Sequence, residues 1–110
     1  IYTINNKNDF NTFNISKESS LKLGMNSITV KANEVVNEEF IAPEAGTYKF
    51  TCLEKNGVIG YEQGNLSISV FGDDEENYFE ITLAAGETLK VFITTSNFKK
   101  ATVRFTIEKL

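Results

Sequence analysis

The chain has no histidine and no tryptophan, and only one cysteine, one proline and one methionine. Without histidine, neither a Ser/His/Asp nor a Cys/His nucleophile arrangement can be built, and a zinc site would fall to carboxylates with at most one thiolate. The single thiol, Cys52, has no second cysteine to pair with and no imidazole to activate it. It falls at an inward position of its strand and reads as a small buried hydrophobe. No apolar run approaches the roughly 18 to 20 residues that span a bilayer as a helix, and no charged-then-apolar leader opens the chain. No basic cluster exceeds Lys99-Lys100 in a chain of net charge −4, so the electrostatic footprint of a nucleic-acid partner is missing. Carboxylates stand in pairs, at Glu38-Glu39 and across Asp73-Asp74-Glu75-Glu76, but adjacent acids on exposed turns form a solvated face rather than an acid/base pair. The chain is therefore expected not to be an enzyme.

What is present is core material. The 110 residues are enough for one two-layer domain, and 41% of them are hydrophobic, with nine Phe and four Tyr. The chain opens on Ile1 rather than Met, which sets the expectation of a domain from a longer or processed protein. Few cysteines, abundant Asn, Thr and Ser, and a strand-rich pattern suit an extracellular or cell-surface protein of a Gram-positive bacterium better than a cytosolic enzyme.

The most legible stretch runs from Phe40 to Cys52. An apolar strand ends at Ala42, Pro43 and Gly46 impose a turn, and Tyr48, Phe50 and Cys52 then alternate with Thr47, Lys49 and Thr51. Period-two alternation recurs in Leu21/Leu23 and Ile28/Val30/Ala32, read as two short strands about Gly24. It recurs again in Val36/Phe40/Ala42, Leu66/Ile68/Val70, Phe79/Ile81/Leu83, Leu89/Val91/Ile93 and Val103/Phe105/Ile107. Glu38 interrupts one inward face, which requires either a bulge or a rim position. Glu54 to Gly64, with three glycines, reads as the longest irregular connection. About eight strands with regular turn signals and no helical pattern give the expected fold: an all-β, antiparallel, jelly-roll-like β-sandwich. Residues 1–20, with Tyr2, Phe10 and Phe13, read as an N-terminal arm or linker packing on a sandwich that spans 21–110.

Candidate binding residues are aromatics that break the inward parity. If the strands at 79–83 and 89–93 pair as a hairpin with Leu83 opposite Leu89, then Glu80 lies opposite Phe92 and Tyr78 opposite Thr94. Tyr78 and Phe92 then become diagonal neighbours on one outer face, beside the Glu80 carboxylate. An exposed ring next to carboxylates is a platform for a sugar ring. Tyr61 and Phe98, both placed on loops, are the next candidates. The acidic turn Asp73-Asp74-Glu75-Glu76-Asn77 offers oxygen ligands of the kind Ca²⁺ takes, but it lacks the Gly-punctuated alternation of an EF-hand loop. It reads as a surface turn, and no cofactor is expected.

The phrases Leu23-Gly24-Met25-Asn26-Ser27-Ile28-Thr29-Val30, Phe40-Ile41-Ala42-Pro43-Glu44-Ala45-Gly46-Thr47-Tyr48-Lys49-Phe50 and Leu83-Ala84-Ala85-Gly86-Glu87-Thr88-Leu89-Lys90-Val91 together resemble the bacterial pre-peptidase C-terminal domains and related jelly-roll accessory modules. The likeness covers residues 21 to 108. It implies a non-catalytic module appended to a secreted or surface protein, a class associated with carbohydrate or collagen binding and with folding or targeting of the attached enzyme. The expectation is a carbohydrate-binding accessory module whose partner is a polysaccharide. The alternative is a structural or adhesin spacer making protein-protein or inter-domain contacts, with no membrane insertion in either case.

Overall fold

Among the described residues, eight strands lie in two layers of four, and the alternating apolar residues meet between the layers. They are β1 (Gly24–Val30), β2 (Val36–Ile41), β3 (Gly46–Cys52), β4 (Gly57–Gln63), β5 (Leu66–Phe71), β6 (Tyr78–Leu83), β7 (Thr88–Thr95) and β8 (Ala101–Lys109). The computed structural model describes residues 19–110, so the expectations for Tyr2, Phe10 and Phe13 lie outside the described residues. One sheet has the order β1-β8-β3-β6 and the other β2-β7-β4-β5, all pairs antiparallel. This is the jelly-roll order, in which only β4 and β5 are both consecutive and paired. Among the described residues there is no helix long and apolar enough to cross a membrane.

Two differences from the sequence reading have a common cause, the assumption that glycine punctuates. Residues 21 to 32 contain one strand, Gly24–Val30, and not two, and Leu23 and Ala32 lie outside it, exposed rather than inward. Glu54 to Gly64 is mostly strand: β4 occupies seven of these positions, and Gly57 to Tyr61 are all buried. The real turn is Gly64-Asn65, a two-residue hairpin loop joining Gln63 to Leu66, and Gly64 takes the positive φ of 61° that such a loop needs.

The expected inward faces elsewhere are the observed core. Phe79, Ile81 and Leu83, then Leu89, Val91 and Ile93, then Val103, Phe105 and Ile107 are all buried, as is Cys52. Glu38 sits opposite Val91 in an unbroken register, so no bulge shifts its parity. It is half-buried on an edge strand, the rim position.

Among the described residues, five aromatic rings link the layers. Phe50 stacks on Phe79 at 4.7 Å between centroids and 11° between planes, Phe40 meets Phe50 edge-on at 5.6 Å, Tyr48 meets Phe40 at 5.2 Å, and Tyr61 meets Phe79 at 4.9 Å. Tyr48, Phe50 and Phe79 come from one sheet, Phe40 and Tyr61 from the other. Each such contact adds about 0.5–1.5 kcal/mol beyond area burial. The Tyr48 hydroxyl also donates to the Glu44 carbonyl at 2.5 Å and accepts from the Glu44 N–H at 3.3 Å, which holds the Pro43 turn onto the strand that follows it.

Phe50→Ala is expected to lower stability by about 3–5 kcal/mol, because two ring contacts are lost and a cavity opens at the layer interface. Tyr48→Phe, which keeps the ring and removes only the clasp, should cost about 1 kcal/mol. Urea unfolding midpoints of the two variants check this ordering, and equal losses would contradict it.

Candidate functional site

The expected hairpin of strands 79–83 and 89–93 does not form. Ala84 to Glu87 carries the chain from one sheet to the other, so Leu83 lies opposite Gly46 and Leu89 opposite Phe40. Tyr78 and Glu80 therefore belong to the outer face of the first sheet and Phe92 to that of the second. The anticipated Tyr78-Phe92 patch is split across the two sides of the sandwich. Tyr78 stands opposite Thr51, 38% exposed, with the Lys49 ammonium 4.4 Å from its ring centroid, and Glu80 stands opposite Lys49. Tyr61 is not on a loop: it lies in β4, faces the core and is 7% exposed, so it is no surface platform. Phe98 is on a loop as expected and is 68% exposed, at a positive φ of 61°. Its carbonyl accepts from the Asn33 N–H at 3.2 Å, placing it at the end of the sandwich, away from Phe92's row.

Of the five expected residues, Phe92 alone lies in a well-formed depression. Register partners share a face in an antiparallel sheet, so the outer surface of the second sheet can be read in rows. Asn37, Phe92, Gly60 and Ser69 form one row, and Glu39, Lys90, Glu62 and Ser67 the next. Gly60 makes the depression. A Cβ built there would lie 2.3 Å from the end of the Phe92 ring and 2.2 Å from the Ile68 carbonyl oxygen, so only glycine lets the ring lie down across the strand. The result is a half-buried aromatic ring in an open groove of about 440 Å³. Ser20, Asn37, Glu38, Glu39, Glu62 and Lys90 supply the rest of its lining.

The groove combines one apolar plate with an amide, a hydroxyl, three carboxylates and one ammonium. Carboxylate and amide oxygens accept hydrogen bonds, and the amide and ammonium donate them. Such a surface matches a polyhydroxylated ligand with one apolar face. The sequence reading missed Asn37, Glu39, Glu62 and Lys90, since their convergence depends on the β2-β7-β4 order. Gly60 was the available signal, a glycine set inside the apolar run Val58 to Tyr61, where a missing side chain marks a close approach. A shallower depression continues past Lys90 along Gln63, Gly64, Glu87 and Thr88.

The acidic turn at 73–77 lies at the end of the sandwich between β5 and β6, and among the described residues no group of three or more His, Cys, Asp or Glu is placed to hold a metal ion. Cys52 is buried and unpaired, its Sγ 3.7 Å from the Glu54 carbonyl oxygen. Burial pushes its pKa above the ordinary 9.0, and the Glu54 carboxylate adds to that, against the opposing effect of the backbone hydrogen bond. The thiol is thus a packing group. In the pH range just above the ordinary value, the unfolded chain releases this proton and the folded chain keeps it, so unfolding gains as pH rises. The wild-type chain is expected to lose stability relative to Cys52→Ala between about pH 7 and about pH 10. Paired denaturation curves measure this, and a constant difference between the two proteins would contradict it.

No protein-family model matches this chain, and neither does any curated protein or solved structure.

Proposed function

We propose that this chain is a non-catalytic carbohydrate-binding module of a secreted or cell-surface bacterial protein, and that it binds glycan in the groove over Gly60. The observation that carries this reading is the half-buried Phe92 ring resting over Gly60, beside a row of hydrogen-bonding side chains. A pyranose has one apolar face of C–H groups and a rim of hydroxyls. The ring offers a stacking surface to the first, and Asn37, Glu39, Glu62 and Lys90 offer partners to the second. The groove is open along the sheet, which suits a polymer chain better than a free monosaccharide. The jelly-roll strand order and the likeness of residues 21–108 to pre-peptidase C-terminal modules support the same reading.

A second reading, a spacer or adhesin domain contacting a neighbouring module, draws on a different observation. Val35, Leu53 and Phe98 are exposed on loops at one end of the sandwich, at 56%, 47% and 68%. A neighbouring domain would cover such an end.

The test is retention of the chain on a panel of soluble and insoluble polysaccharides, with circular dichroism to confirm folding of each variant. Wild-type protein should be retained by one glycan class. Phe92→Ala should weaken that retention tenfold or more, about 1.4 kcal/mol, and Glu62→Gln with Lys90→Ala should weaken it further. Tyr78→Ala, on the opposite sheet, should leave it unchanged. Absence of retention on every glycan would overturn the proposal in favour of the spacer.

A further inference from the structure

Among the described residues, the four edge strands of the sandwich are not alike. At β2 the edge is closed by the segment before β1. The Ser20 and Leu21 N–H groups both donate to the Glu39 carbonyl at 3.1 Å, and the Glu39 and Ile41 N–H groups donate to the Ser20 and Ser19 hydroxyls at 2.9 and 3.1 Å. At β1 the inward row is more nearly covered, with Ile28 alone half-buried. Val30 is fully buried, and Asn26 is 6% exposed, its amide bonded to the Lys22 backbone at 3.1 and 2.8 Å. At β6 a charge, Glu80, stands in mid-strand and guards the edge.

The β5 edge has none of these protections. Leu66-Ser67-Ile68-Ser69-Val70-Phe71 carries no charge and no proline, and among the described residues it pairs with β4 alone. Its core-facing row is left incomplete: Leu66 is 51% exposed and Ile68 and Val70 are only half-buried. Unpaired backbone groups beside a half-covered apolar row make a template for one more strand.

We infer that β5 pairs antiparallel with β5 of a second copy of this chain, about a two-fold axis at Ile68, and that the two sheets become one of eight strands. The residues are self-complementary in that register. With Ile68 opposite its own copy, Leu66 lies opposite Val70 and Ser67 opposite Ser69, so apolar meets apolar on the core side and hydroxyl meets hydroxyl on the outer side. A one-residue slip would turn the second copy's apolar row to the wrong face. A two-fold axis at Ser69 keeps the faces but sets Leu66 opposite Gly72, which leaves it uncovered. An isologous contact of this kind closes after two chains and leaves no further edge of the same type.

The inference does not rest on the glycan reading, but it has a consequence for it. The row Asn37, Phe92, Gly60, Ser69 of one copy runs on into Ser67, Glu62, Lys90, Glu39 of the other, so both grooves open on the same face of the joined sheet. A polymer laid on that face meets two sites, and the second is filled at the effective concentration set by the first.

A pair of six-residue strands makes a small interface, so association is weak and concentration-dependent. Sedimentation of the 110-residue chain should give a mass rising from one chain toward two as concentration is raised toward about 1 mM. Ile68→Glu sets two carboxylates against each other at the axis and should hold the protein at one chain throughout. Opposed residues at the axis lie about 4.5–5.5 Å apart between Cα atoms, within reach of a disulfide. Ile68→Cys should therefore oxidise to a covalent dimer, and Phe71→Cys, far from its own copy, at least tenfold less. The buried Cys52 does not compete. A single-chain mass at every concentration would overturn the inference, and so would equal cross-linking at positions 68 and 71.

Discussion

The contact on which the rest of this molecule depends is the stack of Phe50 on Phe79 and the rings that extend it to Phe40, Tyr48 and Tyr61. Each sheet has one apolar face to hide, and each sheet's rings reach across to the other. The sandwich is thus closed by side chains that cannot shift without opening a void, because protein interiors are packed as densely as organic crystals. Tyr48 extends this constraint to the chain path, since the hydroxyl of a ring fixed in the core clasps the turn at Glu44.

A core fixed in this way frees the outer faces, and the two sheets use that freedom differently. On the first sheet the outward aromatic, Tyr78, already has a cation over its ring. On the second, Gly60 removes one side chain from the middle of the sheet, and the Phe92 ring takes the vacated space. A missing Cβ thereby turns a flat surface into a groove with an apolar floor. Among the described residues the same sheet has one edge strand bonded to Ser19–Leu21, and the other, β5, pairs with β4 alone.

Legibility in the sequence followed the range of the interaction. Inward faces such as Phe79/Ile81/Leu83 and Leu89/Val91/Ile93 were readable because burial on one side of a strand imposes a period of two on neighbouring residues. The Pro43-Gly46 turn was readable for the same local reason. β4 was missed because its glycines were taken as punctuation. Gly57 starts the strand, Gly60 makes room for a ring from another strand, and only Gly64 turns the chain. The Phe92 site was half legible: its outward parity was evident, but its neighbours were assigned from a hairpin that the fold does not contain.

By itself, then, the sequence determined that the chain is an all-β sandwich, which residues fill it, and that Phe92 points out of it, because alternation and turn chemistry act between adjacent residues. The tertiary structure alone decided which strands are neighbours. The Ala84 to Glu87 connection crosses between sheets where a hairpin was equally compatible with the pattern, and that one crossing parted Tyr78 from Phe92 and set Phe92 beside Asn37 and Gly60. Strand pairing is chosen by how the whole apolar surface is best covered, a sum over every strand that no local stretch contains.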